Sequence, residues 1–220
     1  FELSGRDIAS ENYGEAEAPR AQKKCLERHM RAVESTFLMQ GGVKTSDPWM
    51  TGGLVYWITS NVTNNAGAPL TQALLNDWIV SWMRRNQGSA SDCVVIAGEN
   101  FCKALDSFGL DALRYTPDDE MIGISVASYQ SSFGTLKIMR HGLLSPLGNG
   151  VAVADKGWSG WAFGLNLAHV GKATFKGRGR KLLPDRQAND TDGKKWEYME
   201  DCGLWLASQK THAIYQGIAS

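Results

Sequence analysis

The chain has 220 residues, 43% of them hydrophobic, and its 23 basic side chains balance 23 acidic ones, so it carries no formal net charge. That length closes one or two ordinary cores, since domains usually hold about 100 to 200 residues, and the charge balance excludes a protein drawn as a whole onto nucleic acid or an anionic membrane. The longest apolar runs fall far short of the roughly 18 to 20 residues that span a bilayer, and no charged-then-apolar leader opens the chain, so we expect a soluble protein with no membrane partner. Cys25, Cys93, Cys102 and Cys202 form no CxxC pair, which fits buried thiols in a reducing compartment better than a disulfide framework.

The chain opens at Phe1 without a methionine, inside the stretch "FELSGRDIASENYG", which reads as a strand or arm with an upstream segment cleaved or omitted. Residues 19–40 give the strongest helix signal. Pro19 suits the first helical turn, Leu26, Met30, Val33 and Phe37 recur at helical spacing, and Gly41-Gly42 is a stop. Lys23 with Glu27 and Glu27 with Arg31 are i,i+4 pairs on its polar face, which reads as solvated or as a contact with a neighbouring subunit. "TGGLVYWI" (51–58) reads as a short apolar strand, followed by a loop from Asn61 to Pro69.

Thr71 is a fair N-cap for a second helix with Leu74, Leu75, Trp78 and Trp82 on one face and Arg84 and Arg85 in its last turn before Gly88. A buried strand, 93–97, runs into a helix that turns Phe101, Ala104, Leu105 and Phe108 inward and ends at Gly109. "IGISVASYQ" and "TLKIMRH" then alternate with period two about a turn near Ser132, Phe133 and Gly134, which predicts a β-hairpin. "GVAVAD" (150–155) is another strand, and 170–181 alternates weakly. After a polar loop, an Asp192-Gly193 turn opens a closing two-stranded hairpin within 189–217. Helices and strands mix without βαβ repeats, so the expected class is α+β.

The motifs that could carry chemistry each fail at a required position. "GWSGW" (157–161) is one residue out of register for a nucleophile elbow. "VGKAT" (170–174) lacks the first glycine of a phosphate loop, which would have to stand at Asn166. Asp190, Asp192 and Gly193 resemble the start of a calcium loop, but Ala188 stands where its first carboxylate belongs. His29, His141, His169 and His212 show no ligand spacing. We therefore expect no enzyme, metal or cofactor. Lys172, Lys176, Arg178, Arg180 and Lys181 with Phe175 form a basic stretch that reads as a solvated loop or subunit contact first, and as a nonspecific phosphate contact second. The eight tryptophans are core or interface residues by default.

The order of elements resembles a major capsid protein of tailed bacteriophages, with the Hong Kong 97-type fold. "EAPRAQKKCLERHMRAVESTFL" is similar to the spine helix of that family, "CVVIAGENFCKAL" to its axial strand-helix step, and "SFGTLKIMRHGLL" to a hairpin and histidine-led turn of one subfamily. "NDTDGKKWEYMEDCGLWLASQKTHAIYQGI" resembles the end of that subfamily nearly throughout.

The resemblance implies that 1–18 is the returning strand of a partly missing extended loop. It places 19–50 (spine helix 19–40) with 165–200 in a peripheral domain, and 51–164 with 201–220 in an axial domain. It further implies a virion shell of pentamers and hexamers around double-stranded DNA touched nonspecifically, with scaffolding, portal and decoration proteins as partners, assembled in the cytoplasm of a host bacterium. Subunit-interface candidates are Phe1, Leu3, Arg6, Arg20, Lys23, Glu27, Arg31, Asp185, Arg186, Asn189 and Asp192. An encapsulin-like compartment shell is the alternative with the same fold. A hydrolase or sugar-binding module using the tryptophans and His141 or His169 is the alternative from another class.

Overall fold

The computed structural model describes residues 1–10, 16–42, 50–86, 92–108, 113–115, 126–131, 134–145 and 158–218. The expected strand at 150–155, the helix stops at Gly88 and Gly109, and the hairpin turn at Ser132 and Phe133 lie outside the described residues. The class is α+β, as expected.

A short strand, β1 (Glu2–Ser4), leads at once into α1 (Gly5–Ala9). The Asp7 backbone N–H donates to Ser4 Oγ at 3.2 Å and the Ser4 N–H donates to the Asp7 carboxylate at 3.3 Å, a reciprocal cap that ends the strand. The opening stretch is thus not one extended arm.

The long helix α2 spans Glu17–Met39, with Pro19 in the first turn, where a missing N–H breaks no intrahelical bond. Its apolar stripe sits less deeply than its spacing predicts. Leu26, Val33 and Phe37 are half-buried, Met30 is 47% exposed, and of the whole helix only Leu38 is buried. The reason is where the helix is held. Its C-terminal end is gripped by the backbone of Gly53, whose N–H donates to the Gln40 carbonyl at 3.0 Å, and a Cβ on Gly53 would stand 2.6 Å from the Thr36 carbonyl oxygen.

The run after Gly53 is a helical turn, α3 (Leu54–Trp57), and this corrects the strand expected over 51–58. Tyr56 and Trp57 donate backbone N–H groups to the Gly53 carbonyl, and Ile58 donates to Leu54 at 2.9 Å. Leu54 and Ile58, one turn apart, are buried, while Tyr56 and Trp57 face outward. A short apolar run fits either conformation, and here packing decides.

Next in the chain are β2 (Val62–Asn64) and α4 (Gln72–Met83), the latter capped by Thr71, whose Oγ1 accepts the Leu74 N–H at 3.3 Å. Then follow β3 (Cys93–Ala97), α5 (Glu99–Asp106), β4 (Leu113–Tyr115), β5 (Val126–Ser131) and β6 (Gly134–Arg140). The β5–β6 hairpin is the one the alternation predicts. The remaining strands are β7 (Ala162–Asn166), β8 (Val170–Thr174), β9 (Lys181–Leu183), β10 (Gly193–Lys195), β11 (Glu197–Met199), β12 (Cys202–Leu206) and β13 (Ala213–Gln216).

One seven-stranded sheet, in the order β2-β13-β7-β3-β6-β5-β4, forms the body. The pairs β13–β2 and β3–β6 are parallel and the others antiparallel. Strand periodicity divides the core between its two faces. On β3, Cys93, Val95 and Ala97 join Leu75, Trp78, Ile79, Trp82 of α4 and Phe101, Leu105 of α5. On β7 and β13, Phe163, Leu165 and Ile214 join Leu38, Leu54, Ile58, Leu143 and Leu144 on the opposite face. Three antiparallel two-stranded ribbons stand outside the sheet: β1 with β10, β9 with β11, and β8 with β12. The strand at Leu3 therefore has its partner within the chain, opposite Lys194.

The expected C-terminal hairpin does not form. β12 pairs with β8, whereas β13 enters the large sheet between β2 and β7. Ser208, in the left-handed region at φ 51°, and a 3-10 turn at Gln209–Thr211 swing the chain from one to the other. Side chains fix that crossing. Trp82 Nε1 and Asn86 Nδ2 both donate to the Thr211 carbonyl, at 2.7 and 3.0 Å, and Asn61 Nδ2 donates to His212 O at 2.9 Å. The Asn166 N–H donates to His212 Nδ1 at 3.3 Å, which requires that nitrogen unprotonated, and burial lowers the pKa of this histidine.

Candidate assembly surfaces

The basic stretch at 172–181 folds against acidic partners. Lys172 on β8 and Arg180 ahead of β9 both reach Glu200, the arginine Nε at 3.2 Å, and His29 Nε2 on α2 lies 3.3 Å from the same carboxylate. Arg178 pairs with Asp201, and Lys181 Nζ donates to the Gly177 carbonyl at 2.9 Å. Burial alone would push the Glu200 carboxyl up. Hydrogen bonds from Lys172, Arg180 and His29 outweigh it and hold the group at about 2. The Glu200 side chain is 4% exposed, so this carboxylate ties the long helix and two ribbons together. Of the five cations proposed to meet phosphate, three are thereby neutralised in place, and only Lys176 stands exposed without a described bond.

The interface candidates divide. Leu3 is buried in the chain's own packing, and Phe1 stacks on Trp196 with ring centroids 5.0 Å apart, so these two hold the β1–β10 ribbon. Arg6, Arg20, Lys23, Glu27 and Arg31 are exposed, as are Asp185, Arg186, Asn189 and Asp192 on the 184–192 loop. Arg186 pairs there with Glu197 at 3.3 Å.

The remaining polar candidates brace elements. Ser159 is buried, and its Oγ accepts from Asn100 Nδ2 at 2.9 Å. His141 accepts the Leu143 N–H on Nδ1, which leaves Nε2 to donate to Glu34 at 2.9 Å and fixes α2 to the end of β6. Among the described residues no three metal-ligating side chains converge, and no helix is long and apolar enough to cross a membrane. Trp78 and Trp82 stack in the core, whereas Trp57 and Trp205 lie on the surface. Glu34, Glu200 and Asp201, the acids that organise these contacts, carry no local sequence signature. The clue is compositional: a basic run in a neutral chain needs its carboxylates somewhere.

No curated protein matches the chain. Among solved structures, it is similar to the SrpI encapsulin of Synechococcus elongatus (11% identity, 99% of this chain and 71% of that one, TM-score 0.65). It is also similar to the capsid of an empty GTA particle (11%, 100% and 71%, TM-score 0.59) and to a protein assigned as the capsid protein of an Escherichia coli prophage (10%, 98% and 75%, TM-score 0.54). At such identities the likeness establishes the fold alone, which is the Hong Kong 97-type capsid fold. The sequence profile of the SU10 major capsid protein family matches residues 1–219. The chain therefore belongs to the SU10 major capsid protein family, a structural protein of the virion shell.

Proposed function

We propose that this chain builds the head of a tailed bacteriophage by self-association into pentamers and hexamers that close an icosahedral shell around double-stranded DNA, in the cytoplasm of the host bacterium. The observation that carries this reading is the family match over residues 1–219. Subunits meet through broad complementary surfaces, with no catalytic step. Scaffolding, portal and decoration proteins are its expected partners. The seven-stranded sheet with α4 and α5 corresponds to the axial domain, and α2 with the β9–β11 ribbon to the peripheral domain. The exposed loop carrying Asp185, Arg186, Asn189 and Asp192 meets neighbouring subunits, together with Arg6.

Electron microscopy and light scattering on the purified protein, with and without its scaffold, test this. Closed particles of uniform diameter are expected, and a protein that stays monomeric under every such condition overturns it.

A second reading, an encapsulin-like compartment shell, is favoured by the TM-score of 0.65 to the SrpI encapsulin. The contents of the particles decide between them: nuclease-protected DNA supports the phage head, and a co-purifying enzyme supports the compartment.

A further inference from the structure

The exposed arc of α2 carries Arg20, Lys23, Lys24, Arg28 and Arg31. Residues three and four apart share a helix face, so these cations form one continuous stripe. One carboxylate, Glu27, falls within it, and Glu17 and Glu34 flank it at either end, the latter engaged by His141 at 2.9 Å. None of the five cations makes an ion pair among the described residues. Elsewhere Arg140, Lys172, Arg178, Arg180, Arg186 and Lys195 each have a carboxylate partner within the chain, while exposed cations without one, such as Arg6, Lys103, Lys176 and Lys210, are scattered over several elements. In a chain of zero net charge, five cations without an ion pair thus share one helix face.

We propose that this face of α2 is a contact for the phosphate backbone of nucleic acid, a reading that rests on a DNA-filled shell. The dimensions fit. From Arg20 to Arg31 the helix rises about 16 Å, which spans about five phosphates of one strand at about 3.4 Å each. Cations on successive turns, with long flexible stems, meet such a row without reading bases. The surface is that of a sequence-independent, salt-sensitive binder, weak per subunit and effective when many copies line one wall.

The experiment is a fluorescence-anisotropy titration of a labelled duplex of about 20 base pairs with the whole chain, between about 50 and 200 mM salt. Four phosphate contacts give a log-log salt slope of about −3.6 and a loss of affinity of roughly 100-fold across that range. The variant Arg20→Gln/Lys24→Gln/Arg28→Gln/Arg31→Gln, shown by its melting curve to be folded, is expected to lose that slope. If it does not fold, the pair Arg20→Gln/Arg31→Gln is expected to lower the slope by about 1.8. No binding by the parent at low salt overturns the proposal. So does unchanged binding by the variants, or binding lost only in Lys176→Gln/Lys181→Gln. Light scattering on the same samples separates the two readings. Shells that form without this DNA contact refute the phosphate site alone, and variants that bind DNA as the parent does but fail to assemble assign the α2 face to a subunit contact.

Discussion

The ring of Trp82 lies directly over Gly164, where an added Cβ would come within 3.0 Å of the six-membered ring. The indole cannot retreat: Trp82 is fully buried, stacked on Trp78, and its Nε1 is committed to the Thr211 carbonyl. Gly164→Val is therefore expected to destabilise the fold by about 1–3 kcal/mol through overpacking. Thermal melting reads this as a fall of several degrees, and an unchanged midpoint would show that the sheet can shift under the ring.

Glu200 sets an acid limit on the assembly of helix and ribbons. Its folded pKa of about 2 lies below its ordinary value, so the stabilisation is complete above the ordinary carboxylate range and is lost as pH falls through about 2. Glu200→Gln is expected to cost about 1–3 kcal/mol near neutrality, and the gap in melting temperature to the parent should close on acidification. A gap that stays constant down to pH about 2 would contradict the linkage.

Along α2 the penalties should follow burial. Leu38→Ala removes a buried side chain and is expected to cost about 2–4 kcal/mol. Met30→Ala, on an exposed position, should stay within about 0.5 kcal/mol. Denaturant titration of both variants checks the order, and equal losses would mean that the stripe is covered along its whole length.

Burial pushes the Cys93 and Cys102 thiols up to about 11, so few thiolates form near neutral pH. Labelling with iodoacetamide at that pH should modify the half-buried Cys25 first and reach Cys93 and Cys102 only after denaturation. Mass spectrometry of the digested protein reads this directly, and rapid native labelling of Cys93 would require the α4 side of the sheet to open.

Much of this fold is written locally. The periodicity over 19–40 finds α2 to within two residues at each end, Thr71 marks a real cap, and the apolar run at 93–97 is β3. What local pattern cannot carry is choice of partner. Leu54 and Ile58 are apolar in a strand or a helix alike, and only the approach of Gly53 to the end of α2 selects the turn. The alternation from Cys202 to Gln216 reads as two neighbouring strands, yet Trp205 faces Gly171 and Tyr215 faces Ala162. The cations at Lys172, Arg178 and Arg180 looked available because Glu200 and Asp201 lie 20 to 28 residues away in sequence and beside them in space.

The position of β13 also sets a timetable. Among the described residues β2 pairs in the large sheet with β13 alone, and β7 needs it along one edge, yet β13 follows every other described strand. A chain emerging from the ribosome therefore carries two unfilled strand edges until residues 213–216 are made, because neither can be satisfied by a strand already synthesised. Removing residues from 213 onward would leave those edges open for good, and such a chain would pass into irregular aggregates. Subunits cut short during synthesis would thus be kept out of the particle by their own unfinished sheet, a form of quality control that needs no separate factor.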